Sequence, residues 1–211
     1  MTSLIVVVEG QTEEMFVRNV LGPYLCPSGD CLVIPIQLNG IKPYGAVRKA
    51  TLNAMKQHVR HLRACTTMLD LYALKKCFPG YTPPGAVADP YARTKQIEDA
   101  FGVDIADHRF IPYIQVHEFE ALLFTDPSKF VISYPNAQDG VSTLSAVADE
   151  FANPEYIDND NPPSKRIQAA VPSYDKAAAG PIIAQHIGLS VIRSKCPHFN
   201  DWLTKLESLA T

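Results

Sequence analysis

The chain is defined first by what it lacks. No apolar run in its 211 residues approaches the ~18 that a membrane-crossing helix needs, so no α-helical span is expected. No basic segment precedes the first aliphatic stretch, and Glu9 interrupts that stretch early. No secretory leader is therefore expected, and the chain reads as cytoplasmic. No Gly-x-x-x-x-Gly-Lys-Ser/Thr motif occurs, which leaves any use of ATP to a partner. The five cysteines (Cys26, Cys31, Cys65, Cys77, Cys196) are odd in number, scattered and free of any Cys-x-x-Cys pair. Neither a zinc site nor a disulfide framework is signalled, and buried free thiols are the expectation. Charge is sparse, at 19% of residues and a net −3, so the chain as a whole has no polyanion-binding signature. There is no internal repeat and no low-complexity tract.

What is present is a hydrophobic fraction of 46%, enough for a packed core. Residues 4–8 form a continuous aliphatic run, as in a strand buried on both faces. Apolar residues at helical spacing follow over 12–24, ending around Pro23 and Pro27. Residues 32–38 read as a second strand, with Pro35 hinting at a sheet edge. A long amphipathic helix is predicted over 44–62, a third strand over 65–69 ending at Asp70, and a fourth over 110–116. Between them, residues 77–90 carry four prolines and two glycines and form a loop long enough to be functional. Asp89-Pro90 then reads as a helix cap and first position, with Gly102 closing the helix after Phe101. A short helix is predicted over 121–124, and a last one over about 197–209. Strands alternating with helices give an α/β fold: a mainly parallel, Rossmann-like sheet of about four strands flanked by helices, with a mostly helical C-terminal third. The expected division is a core over 1–125 and a helical extension over 126–211, packed as one unit.

In such sheets the reactive crevice lies beyond the carboxyl ends of the strands. Glu9 ends the first strand, Asp70 ends the third, and Glu118 and Glu120 follow the fourth. Carboxylates crowded at one edge repel, and a divalent cation relieves the repulsion; hard oxygen donors suit Mg²⁺ or Mn²⁺. Glu9, Asp70, Glu118 and Glu120 are the candidate metal ligands. Gly10 lets the backbone turn sharply or a ligand approach closely. Glu13 and Glu14 fall in the first turn of a helix, where acids complement the dipole, and Glu13 is near enough to the turn to touch a metal or its water. Glu118 and Glu120 share a face if the strand continues, but stand about 200° apart if a helix has begun. His117 beside them reads more readily as a packed residue than as a ligand.

Residues 32–69 contain no Asp or Glu. Arg48, Lys49, Lys56, Arg60 and Arg63 project within an arc of roughly 120° on the predicted helix, a stripe suited to phosphates. Ser164, Lys165 and Arg166 begin a second basic spot at a helix start, where free N–H groups favour anions, and Lys176 could join them.

The segments "VVVEGQTEEMF", "TTMLDLYALKKCFPG", "IPYIQVHEFEALLF", "PSKRI" and "CPHFNDWLTKLE" together resemble the family catalogued as domain of unknown function 4276. That family looks TOPRIM-like, akin to nuclease domains paired with ATPases in phage-defence loci. The resemblance spans residues 4 to about 207. It implies Mg²⁺-dependent phosphodiester cleavage of DNA or RNA, with Glu9 as the first glutamate and Asp70 as the first aspartate of an Asp-x-Asp pair. Tyr72 stands where the second aspartate would be, and "HEFEALLF" favours Glu120 as the substitute. By this reading Glu9, Asp70, Glu120 and Lys165 are catalytic. Gly10, Tyr72, Arg48, Lys56, Arg60, Arg166 and Lys176 contact substrate. An ABC- or AAA-type ATPase is the implied partner, and a homo-oligomer is compatible with the sequence. The alternative reading is a non-catalytic subunit, with a degenerate site, that binds nucleic acid or an ATPase.

Overall fold

In the computed structural model, which describes residues 2–40, 42–83, 85–157 and 160–210, the aliphatic run forms strand β1 (Thr2–Val8) at the heart of a parallel sheet. It pairs on one side with β2 (Cys31–Gln37) and on the other with β3 (Leu62–Asp70). β3 in turn pairs with two short strands, β4 (Phe110–Ile111) and β5 (Ile114–Gln115), also in parallel. Leu4, Val6 and Val8 face one hydrophobic cluster; Ile5 and Val7 face another on the opposite side. Alternate side chains of a strand point to opposite faces, so a strand covered on both must be apolar at consecutive positions. β2 is an edge strand, which is where Pro35 costs no ladder hydrogen bond.

After β1 the chain runs helically through α1 (Gln11–Phe16), a widened π-type stretch (Val17–Leu21) and α2 (Gly22–Leu25). Cys26, just past α2, is bonded to Cys31 at the start of β2, with their Cα atoms 5.6 Å apart. This corrects the expectation of free thiols. The intervening loop turns back at Gly29, whose φ of 76° is left-handed, and so brings the two sulfurs together. Cys65 and Cys196 are buried and free, and Cys77 is exposed.

Helix α3 (Tyr44–Gln57) is shorter than predicted, and β3 begins earlier, at Leu62. The reason is non-local. Ser3 of β1 pairs with Leu62 and donates its N–H to the His61 carbonyl, so residues that continue a helical pattern are claimed by the sheet. α4 (Pro90–Ile105) starts as predicted, with the Asp89 carboxylate accepting from the Tyr91 N–H. It runs through Gly102 and ends where Ala106 turns left-handed at φ 55°. The single strand predicted over 110–116 is broken at Pro112, which has no N–H to donate. Threonine side chains fill the gap: the Thr67 hydroxyl donates to the Tyr113 carbonyl and accepts from the Tyr113 N–H.

A 3₁₀ stretch (Phe119–Thr125) follows β5, then α5 (Phe130–Ser133), α6 (Gln138–Asp149), α7 (Pro163–Ala170), α8 (Lys176–Ile187), α9 (Leu189–Lys195) and α10 (Pro197–Ala210). α3 and α4 cover the Ile5/Val7 face of the sheet, while α1, α8, α10 and the 3₁₀ stretch supply the cluster on the Leu4/Val6/Val8 face. Among the described residues no helix is long and apolar enough to cross a membrane.

The start of α10 is fastened by Glu155, which is wholly buried. Its carboxylate accepts from the N–H groups of His198 and Phe199, each at 3.0 Å, and from the Tyr91 hydroxyl at 2.9 Å. His198 places Nε2 3.0 Å from the Glu98 carboxylate. Burial pulls the His198 pKa down, but the hydrogen bond and charge of Glu98, with the charge of Glu155, outweigh it and leave the pKa above its ordinary value. A raised folded pKa contributes stability that is complete below the unfolded value, about 6.5, and is lost as pH rises through the folded one. The unfolding free energy of the wild type, read from urea titrations, should therefore fall as pH rises above about 6.5. Glu98→Gln should flatten that fall. Parallel pH profiles of the two proteins would refute the assignment.

Candidate functional site

Beyond the carboxyl ends of β1, β3 and β5 the topology gathers the acids that the sequence placed at strand ends. Glu9 follows Val8. The next residue, Gly10, has φ −146° and ψ −167°, an extended conformation open to any residue, and a Cβ there would meet nothing closer than Glu13 Oε2 at 3.4 Å. Gly10 is thus not needed for a sharp turn. Its N–H donates to Glu13 Oε2 at 2.9 Å, and this closes the start of α1 and holds the Glu13 carboxylate beside Glu9. Glu13 is buried. Asp70, the last residue of β3, is also buried, and so is Glu120 in the first turn of the 3₁₀ stretch. One oxygen of Glu9, Oε2, and one of Asp70, Oδ1, are buried without a hydrogen-bond partner.

The electrostatics follow from this crowding. Burial, then the Glu13 charge, raises the Glu9 pKa, while the Asp70 backbone and Lys176 pull it down and Glu118 adds a further rise. Burial pushes Asp70 well above the usual carboxylate range; Glu13, Glu9 and Glu120 add to the rise and Lys176 opposes it. Glu120 is raised by burial, against the pull of Lys176. Lys176, the first residue of α8, sets Nζ 2.9 Å from Glu120 Oε2. Burial alone would lower its pKa, but Glu120 and Asp70 more than reverse that, so its ammonium is held charged. Four acids therefore share one half-buried cation, and Lys176 is where the cluster's positive charge resides.

Glu118 and Glu120 are divided by the start of the 3₁₀ stretch between them. Glu120 faces Lys176. Glu118 Oε2 accepts the Ser164 N–H at 2.9 Å, so a carboxylate of this chain already sits at the start of α7, where an external anion was expected. Glu118 remains near enough to raise the pKa values of both Glu9 and Glu120.

Of the predicted basic contacts, only Lys176 enters the cluster. Lys165 is exposed in the first turn of α7. Arg166 turns its Nε to the Asn161 carbonyl at 2.6 Å and its guanidinium onto the Phe151 ring. The stripe predicted along 48–63 does not form. Arg48 is paired with Asp104, Nε to Oδ2 2.6 Å. Lys56 lies in the last turn of α3, Arg60 in the turn beyond it, and Arg63 in β3. That turn borders Ser3, at the opposite end of β1 from Glu9, and seven strand residues at about 3.3 Å each separate the two ends by roughly 20 Å. Lys56 and Arg60 thus stand away from the carboxylates. Tyr72 lies just past Asp70 and stacks on His117, ring centroids 4.9 Å apart.

The donor set suits a hard divalent cation: carboxylates only, with partnerless buried oxygens on Glu9 and Asp70. Among the described residues, no three acidic, imidazole or thiol side chains are gathered closely enough to hold a metal ion as they stand. Lys176 offsets part of the carboxylates' charge through its pairing with Glu120, across 56 residues of sequence that no local pattern announces.

Comparison with solved structures finds the C-terminal region of the OLD protein of Xanthomonas campestris pv. campestris, in platinum-, mercury- and iodine-phased forms. The first two match at 14% identity and TM-score 0.39, the third at 14% and 0.38. The platinum form pairs 97% of this chain with 95% of that one, and the other two pair 96% with 96%. A likeness that loose transfers neither residues nor activity. No curated protein matches the sequence. The family model for the domain of unknown function 4276 matches residues 8–207, and the chain belongs to that family.

Proposed function

We propose that the chain is a TOPRIM-like, Mg²⁺- or Mn²⁺-dependent nuclease that cleaves nucleic-acid phosphodiesters, acting with an ATPase partner in phage defence. The observation that carries this reading is the cluster of half-buried Glu9 with buried Glu13, Asp70 and Glu120 around Lys176, with partnerless oxygens on Glu9 and Asp70. Glu9, Asp70 and Glu120 would hold the cation, with Glu118 and Glu13 supporting. The bound ion would polarise the phosphoryl group and lower the pKa of a water. Lys176, whose side chain is 41% exposed, can then turn from Glu120 toward a phosphate oxygen and offset its developing charge. Lys165, exposed at the start of α7, is the second candidate for that role.

The test is incubation of the purified protein with labelled DNA and RNA, with EDTA, Mg²⁺ or Mn²⁺, beside Glu9→Gln. Cleavage that needs the cation and falls about 10³-fold in the variant is expected. Cleavage at equal rates in both would sink the assignment. The alternative, a non-catalytic binding subunit, is favoured by one observation: Tyr72 stands in place of a second aspartate, and its ring is stacked on His117. Retention of intact nucleic acid, with no cutting under any metal, would select it.

A further inference from the structure

Beside the carboxylate cluster lies a cleft of about 280 Å³, walled by Tyr72, Ala88, Pro90, Arg93, His117 and Tyr156. Two of its walls adjoin the cluster directly, since Tyr72 is two residues beyond Asp70 and His117 precedes Glu118. Its third wall is the Pro-rich loop before α4. Arg93 is the unusual member. It is 4% exposed, yet among the described residues no carboxylate lies within 4 Å of it. Its Nε donates to the Thr82 carbonyl at 3.0 Å, and its guanidinium carbon stands 5.6 Å from the Tyr72 ring centre and 5.7 Å from that of Tyr81. A guanidinium has five N–H donors, and burying its charge without an anion is costly; two ring faces and one carbonyl offset only part of that cost. The nearest acid along the helix, Asp89, is committed to the Tyr91 N–H and approaches the Tyr156 hydroxyl.

The backbone concentrates strain at the same place. His117 has φ 119°, a conformation that L-residues rarely adopt, and its ring lies flat on Tyr72. Strain of that kind persists where the surroundings enforce it, and it clusters at ligand sites. We infer that this cleft is a phosphate subsite, in which Arg93 receives a backbone phosphate of the same nucleic-acid strand whose scissile group meets the carboxylate cluster. The inference rests on the nuclease reading for its substrate class, but not for its test.

The test is filter binding of labelled single-stranded DNA and RNA to the full chain in EDTA, over a salt series, for wild type, Arg93→Gln and Arg93→Lys. Arg93→Gln should weaken binding about ten- to hundredfold, the worth of a charge-assisted hydrogen bond. It should also flatten the slope of log K against log salt by about 0.7, one phosphate contact on a single strand. Arg93→Lys should keep the slope while losing affinity, because the charge stays and the planar fork goes. If Arg93→Gln does not fold, the loss of affinity in Arg93→Lys at unchanged slope carries the test. Unchanged binding in the variants overturns the subsite, as does a wild type that retains neither strand. Heat protection of wild type by inorganic phosphate, with no change in strand binding in the variants, overturns the strand assignment in favour of a small phosphate compound. A protein that binds through Arg93 yet cuts nothing with metal keeps the subsite and loses the nuclease. One whose Arg93→Gln variant binds and cuts like wild type does the reverse.

Discussion

Asp70→Asn should move activity and stability in opposite directions. Metal-dependent cleavage should fall by at least about 10³-fold, because the substitution removes a charged oxygen donor from the centre of the cluster. In EDTA at pH 8, the same variant should melt about 2–4 °C above wild type, the shift that roughly 1 kcal/mol produces in a chain of this size. Asp70 is buried among Glu9, Glu13 and Glu120 with Lys176 as the shared cation, so one negative charge fewer relieves repulsion that the metal-free protein otherwise carries. Asn keeps the shape and leaves the β3 pairing intact. Saturating Mg²⁺ should reverse the order of melting, since only wild type offers the full donor set. Parallel melting curves in EDTA and in Mg²⁺ would show that the cluster is neither strained nor metal-seeking. Sites that trade stability for function behave in the way proposed here.

Glu155→Ala should be the most damaging single change away from that cluster, at about 3–5 kcal/mol. Its carboxylate is the common acceptor for two N–H groups at the start of α10 and for the Tyr91 hydroxyl of α4. Alanine leaves these buried donors without partners, at about 1–3 kcal/mol each before relaxation, and opens a void. Glu155→Gln should cost less, because its amide oxygen still accepts, though the amide nitrogen then meets donors. Urea denaturation followed by circular dichroism checks both: the midpoint should drop with an unchanged m-value. A midpoint within about 0.5 kcal/mol of wild type in the alanine variant would mean that water replaces the carboxylate without loss.

The sequence carried some of this architecture plainly. Five consecutive aliphatics at 4–8 require burial on both faces, and only an interior strand gives it. Pro35 marked an edge because a proline cannot donate to a second neighbour. The gathering of Glu9, Asp70, Glu118 and Glu120 at one end of the sheet follows from parallel topology, once three strands are recognised. What stayed hidden depends on partners far along the chain. The end of α3 is set by the claim of Ser3 on Leu62, not by any change of period at Gln57. Arg60 and Arg63 therefore left the face on which the helical projection had put them. Pro112 was visible, but its consequence, a strand split in two and patched by Thr67, needs the neighbouring strand to be seen. The Glu120–Lys176 pair and the isolation of Arg93 have no local signature at all.

The indole of Trp202 is the only one in the chain. It lies 4.2 Å above the Tyr113 ring, and its Nε1 donates to the Thr66 hydroxyl of β3 at 2.8 Å. Intrinsic fluorescence excited at the red edge of indole absorption thus arises from one address, the seam between the last helix and the sheet. Its emission colour and quenching gauge the docking of that helix without any label, and they separate loosening of this seam from events at the acidic end of the sheet.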